Sequence, residues 1–206
     1  MGRGRLEAFS DGVLAIIITI MVLALKVPEQ SGLAALNALW PVLASYVLSF
    51  VYVGIYWNNH HHLVHAVHQV NGRIMWANLH LLFWLSLLPF MTAWAGQSGF
   101  AATPMMLYGL VLFMAGVAYW LLLHSILASA GCDSVLAREV GHDGKGMASQ
   151  VLYLFGIGLS WLHPWAGGLL YGAVALLWLV PDRRIERALA RDAGTEPAAR
   201  NGGRSV

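Results

Sequence analysis

Charge is the scarcest thing in this chain. Asp, Glu, Lys and Arg make up 11% of 206 residues, where soluble domains average about 25%. With 58% hydrophobic residues, that scarcity excludes an ordinary soluble domain and points to an integral membrane protein, long enough for one bundle of helices. Cysteine is nearly absent: Cys132 stands alone, so no intrachain disulfide can form. No A-x-A-like site follows the first apolar segment, which also carries Glu7 and Asp11. It is therefore expected to stay in the mature protein and not to be removed as a signal peptide. The motifs G-x-S-x-G, H-E-x-x-H and G-x-x-x-x-G-K-[ST] are missing, so an enzyme is not expected, nor a cofactor. No two-fold internal repeat of the kind many transporters carry is visible.

What is present is a series of apolar runs. Six hydrophobic segments fall at about residues 6–26, 37–57, 75–95, 104–127, 148–163 and 165–181. They predict an all-α bundle of six transmembrane helices over residues 1–181, followed by a basic tail over 182–206. Of the 12 basic residues, Lys26 alone lies in a linker between segments one and two, three and four, or five and six. The others sit at both termini and after segments two and four, which places both termini in the cytoplasm. Trp40, Trp94, Trp161 and Trp165 fall near the opposite ends, as an interfacial aromatic belt would. The preference for Arg over Lys suggests a GC-rich bacterial genome, hence a bacterial inner membrane. The tail from Pro181 is expected to begin as a short amphipathic stretch and to be disordered past Gly194.

The first segment has an unusual opening. Phe9-Ser10-Asp11-Gly12 runs straight into apolar residues ending at Leu25. Residues 12–25 are too few for a bilayer core of about 30 Å, which needs roughly 20 helical residues. Either the helix extends back through Asp11, leaving a carboxylate at the membrane edge in need of a partner, or Ser10 and Asp11 cap a helix that begins near Gly12. Gly12, Ile16, Thr19 or Ile20, and Leu23 share one stripe by the 3.6-residue period. Such a stripe is ordinary packing surface, or, if copies of the helix met at an axis, a set of apolar rings that gate by dewetting.

Histidines gather after segment two: Trp57-Asn58-Asn59-His60-His61-His62, then His65 and His68. A continuing helix would put His61, His65 and His68 on one face. Three imidazoles can bind zinc, copper or nickel, but no Cys or carboxylate accompanies them locally, so no metal site is assigned. A wet helix end with hydrogen-bonded histidines is the plainer reading. His80, His124, His142 and His163 are scattered singly, which argues against a multi-histidine di-iron site. Asn78, at membrane depth in segment three, needs a partner from another helix.

Arg5-x-x-x-Phe9-Ser10-Asp11 resembles the signature of the transmembrane protein 175 family of potassium channels. YWNNHHHL at the end of segment two and NLHLLFWLSLLPFMTA in segment three resemble its bacterial branch. The resemblance covers about residues 5–181, and segments four to six match mostly by hydropathy and order. It implies a homotetramer in the lipid bilayer that conducts potassium ions passively, without the T-V-G-Y-G filter, a motif this chain lacks. It implies a pore lined by helix one, with Ile16 as the constriction, Ile20 and Leu23 as further apolar layers, and Thr19 as a selectivity residue. Arg5, Ser10 and Asp11 are implied to join a structural network with polar groups on segments two and three. The candidates are Trp57, Asn78 and His61, the last standing for any one of His60, His61 and His62. The alternative is a proton- or metal-coupled secondary transporter using Asp11 and the histidines of residues 60–68; a non-conducting membrane scaffold is a third reading.

Overall fold

The computed structural model describes residues 2–28, 32–65, 67, 69–130 and 144–179. The regular elements among them are all helices. These are α1 (Arg3–Leu23), α2 (Leu33–Ala38), α3 (Trp40–His65), α4 (Gly72–Ser86), α5 (Leu88–Gln97), α6 (Ala102–Ala130), α7 (Gly144–Leu162) and α8 (Pro164–Leu179). The expected tail over 182–206 lies outside the described residues, as do His68, Cys132 and His142.

Four stretches are long and apolar enough to cross a membrane: α1, α3, α4 with α5 as one rod of 26 residues, and α6. At 1.5 Å per residue, the 21 residues of α1 reach about 31 Å, one hydrocarbon thickness. The 16 residues of α8 reach only about 24 Å. α7 has 19 residues but opens on Gly144-Lys145-Gly146 and carries Ser149, Gln150 and Ser160.

The prolines sit where a helix tolerates them. Pro41 and Pro104 lie in the first turns of α3 and α6, and Pro164 is the first residue of α8, where the missing N–H would have had no intrahelical partner. Pro89 falls in the first turn of α5, and the rod breaks just ahead of it at Leu87. Asn71 caps α4, its side chain accepting from the Ile74 amide at 2.9 Å. The α5–α6 turn is a Schellman closure: the Phe100 amide donates to Ala95 O at 2.9 Å and the Gly99 amide to Gly96 O at 3.2 Å. Gly99 takes φ +60° and Phe100 φ +63°. For Phe100 that conformation is strained, and packing offsets it: its ring lies 5.7 Å from Trp40 and 4.7 Å from Trp165.

Helix ends correspond across the bundle. Trp40 stacks on Trp165 at 5.2 Å, bringing the starts of α3 and α8 together with the α5–α6 turn. At the other end, the start of α1 meets the end of α3: the Arg3 guanidinium donates to His65 O at 3.1 Å. α1 packs mainly on α3, α4 and α5; α6 packs on α4, α5, α7 and α8.

Hydrocarbon supplies no hydrophobic drive between helices, so small residues and polar contacts hold them. Tyr171, fully buried, fills a space left by Gly109 and Gly156, where an added Cβ would collide with its ring. Its hydroxyl donates to Met105 O at 3.2 Å, and Tyr52 donates to Tyr171 O at 2.6 Å. A hydroxyl seam joins α3, α5 and α6: Ser49 bonds Thr92 at 2.5 Å and Tyr108 at 2.8 Å.

One boundary decides between the two sequence readings of helix one, and another differs from what the sequence suggests. α1 begins at Arg3, so Ser10 and Asp11 are interior helical residues and not a cap; Gly2 holds the N-cap position. α3 runs on to His65, past the end expected near residue 57. The apolar signal stops there, but no helix breaker intervenes and neighbouring helices supply partners for the polar side chains.

Candidate functional site

α1 has two faces. Leu6, Ser10, Leu14, Ile17 and Met21 recur every three or four residues and are buried. They pack this helix onto its neighbours, and Thr92 of α5 reaches Met21 Sδ at 3.8 Å. The opposite face is free: Ile16 is 59% exposed, Ile20 48% and Leu23 77%. Thr19 lies on the same free side, its hydroxyl donating back to Ala15 O at 2.9 Å. Phe9 and Gly12 extend this stripe toward the helix start. All four residues expected at a pore, Ile16, Thr19, Ile20 and Leu23, thus share one unpartnered face.

The buried face carries a polar relay. Ser10 donates to Leu6 O at 2.9 Å, and Asn78 Nδ2 of α4 donates to Ser10 Oγ at 3.0 Å. The Asn78 side-chain oxygen meets His60 Nε2 of α3 at 2.7 Å. Ser10 and Asn78 are completely buried and His60 nearly so, so each would be costly without the others. Asp11 is one helical step round, half-buried, and accepts from Trp57 Nε1 at 3.0 Å.

Trp57, Asn78, Ser10 and Asp11 therefore gather where α1, α3 and α4 meet. His61 does not join them; His60 does. It continues the buried α3 stripe of Ser49, Tyr52, Tyr56, each four residues or fewer from the next. That period points to His60 and is readable without the structure. Arg5 does not join either: its side chain is exposed and makes no hydrogen bond or ion pair among the described residues. Arg5 and Asp11 are six positions apart, a spacing that puts them on different sides of one straight helix.

His61 instead turns to Glu7 of α1. Its Nδ1 lies 3.1 Å from Glu7 Oε1, and His65 Nε2 lies 3.4 Å from the same oxygen. The sequence around the histidines offers no carboxylate; the fold brings one from 54 positions earlier in the chain. Nothing local in the sequence signals that pairing.

The family model described as endosomal/lysosomal potassium channel TMEM175 matches residues 5–89, a stretch that contains all but the first two residues of α1 and the whole relay. A potassium channel of Chryseobacterium sp. (strain P1-3) is 53% identical over 189 residues, covering 92% of this chain and 98% of that one. A potassium channel of Chamaesiphon minutus is 33% identical over 180 residues, covering 79% and 86%. The crystal structure of a lysosomal potassium-selective channel TMEM175 homolog from Chamaesiphon minutus superposes with a TM-score of 0.75 at 25% identity, covering 86% of this chain and 96% of that one. The two potassium channels and the crystal structure match most of this chain, and the family match includes the Phe9-Ser10-Asp11 motif: the chain is a multi-pass membrane protein and belongs to the TMEM175 family.

Proposed function

We propose that this chain is a potassium channel in which α1 lines a pore shared by four identical subunits. The observation that carries the reading is the free apolar face of α1: Ile16, Ile20 and Leu23 lie exposed on the helix that bears the family motif. Four copies meeting along that face would stack three apolar rings, with Thr19 hydroxyls between them.

The mechanism follows from the chemistry of those rings. An isoleucine ring has no oxygen to replace an ion's hydration shell. Closed, it excludes water and blocks conduction by dewetting. Open, it admits a cation that has shed part of its water, and potassium sheds water more readily than sodium. The relay of Ser10, Asn78 and His60 fixes the buried side of α1, and so the direction in which its free side faces. Asp11 acts as an anchor for Trp57 in this arrangement and not as an ion ligand.

Six crossings per subunit, with both termini in the cytoplasm of a bacterial inner membrane, fit this reading. Arg3, Arg5 and Arg73 stand at the end where α1 and α4 begin, and Trp40 and Trp165 stand at the other. The test is the reversal potential of purified protein in planar bilayers under opposed potassium and sodium gradients. Current that reverses near the potassium equilibrium potential supports the proposal. Flux coupled stoichiometrically to protons would replace the channel with a secondary transporter.

A further inference from the structure

We propose that Glu7, His61 and His65 form a binding site for a divalent transition-metal ion of the zinc class, which ties the start of α1 to the last turns of α3. The inference stands on side-chain geometry and does not depend on the pore reading.

The three ligand atoms lie within 4.8 Å of one another. A zinc ion bonds imidazole nitrogen and carboxylate oxygen at about 2.0–2.2 Å in a tetrahedron, so adjacent ligand atoms stand about 3.3 Å apart. Glu7 Oε1 stands 3.1 Å from His61 Nδ1 and 3.4 Å from His65 Nε2. Those two edges match without movement of either helix. His61 and His65 are one helical turn apart, with ring centroids at 4.3 Å, the spacing at which two imidazoles share a metal on one face. The side chains of His61 and His65 are 41% and 40% exposed, and that of Glu7 is 21% exposed. Solvent can therefore deliver the ion and supply a fourth ligand.

Donor chemistry selects the ion class. Two imidazoles and one carboxylate suit zinc, cobalt or nickel, and suit magnesium, calcium and potassium poorly because those prefer oxygen donors. His62 provides an internal contrast. It is adjacent in sequence, with its ring 5.6 Å from that of His61, but it has no place in the triad.

The test uses the full-length, tag-free chain in detergent, with zinc affinity measured by competition against a chromophoric chelator. Wild type is expected to take up roughly one zinc per chain, with Glu7→Gln and His65→Ala each weakening it by about tenfold or more. His62→Ala should stay within about twofold. Cobalt(II) should give wild type the intense visible absorption of a tetrahedral site, a readout that requires no substitution to fold. Absence of a stoichiometric zinc in wild type would overturn the proposal. So would equal losses in His62→Ala and His65→Ala, because these would reduce the site to a histidine-rich segment that binds metal diffusely.

Discussion

At the residue scale, the relay around Ser10 works because each member covers another's unmet hydrogen bond. Asn78 spends its amide N–H on Ser10 and its oxygen on His60. Asn78→Leu keeps the volume and removes both bonds, leaving the buried hydroxyl and imidazole without that partner. Ser10 keeps its bond to Leu6 O, but the orphaned His60 imidazole costs about 1–3 kcal/mol, so Asn78→Leu should lower the thermal midpoint in detergent by several degrees, while Asn58→Leu, outside the relay, should not. The Asp11–Trp57 bond is more exposed and weaker. Trp57→Phe should cost about 1 kcal/mol in wild type and nearly nothing in an Asp11→Ala background. A double-mutant cycle by thermal unfolding reads that coupling. Asp11→Asn retains an acceptor oxygen and is expected to be milder than Asp11→Ala. The sequence made Asn78 legible as a polar group needing a partner, and the family resemblance pointed to Trp57. It left open which histidine completed the set, although the buried period Ser49, Tyr52, Tyr56 points to His60. Glu7 was not legible, because cross-helix neighbours leave no trace in local spacing.

At the element scale, hydropathy located the long helices well and their ends less well. α3 outlasts its apolar signal by eight residues, from Trp57 to His65, because backbone hydrogen bonding continues wherever polar side chains find partners. The Leu87 break was signalled only by Pro89. Close helix contacts were invisible in hydropathy, since they depend on which glycine faces which backbone. Gly96 is the sharpest case: a Cβ there would stand 2.7 Å from Val42 Cα and 2.6 Å from Ser45 Oγ. The backbone atom cannot rotate away, so Gly96→Val must push α5 off α3. Overpacking of this kind typically costs about 1–3 kcal/mol. The expected outcome is a lower yield of folded protein and a lower thermal midpoint, measured beside Gly54→Val, where a Cβ meets nothing within 4 Å. On α1 the same logic separates the two faces. In a background with Cys132 replaced by Ser, cysteines at Ile16, Ile20 and Leu23 should react with a small water-soluble thiol reagent in the conducting protein. A cysteine at Leu14, which is 2% exposed, should not.

At the scale of the whole molecule, a single subunit leaves the apolar face of α1 uncovered, and either lipid or other copies of the chain must cover it. The two cases differ in one substitution. On a lipid-facing helix, Ile16→Asn puts a carboxamide against hydrocarbon, which is unfavourable and leaves conduction untouched. At a four-fold axis the same carboxamide stands in a ring of four and gives water a polar surface to wet. The barrier to ion entry then falls, because the hydration shell no longer has to be stripped against hydrocarbon. Ile16→Asn is therefore expected to raise resting current and to move the reversal potential toward that of a non-selective cation pore. Thr19→Val keeps the ring dry and removes hydroxyls, so it should reduce potassium preference without raising resting current. Native mass measurement decides the assembly independently: four copies of the 22.4 kDa chain are expected for wild type and for both variants. An assembled Ile16→Asn tetramer with unchanged current and unchanged selectivity would remove Ile16 from the pore and turn the free face of α1 toward lipid.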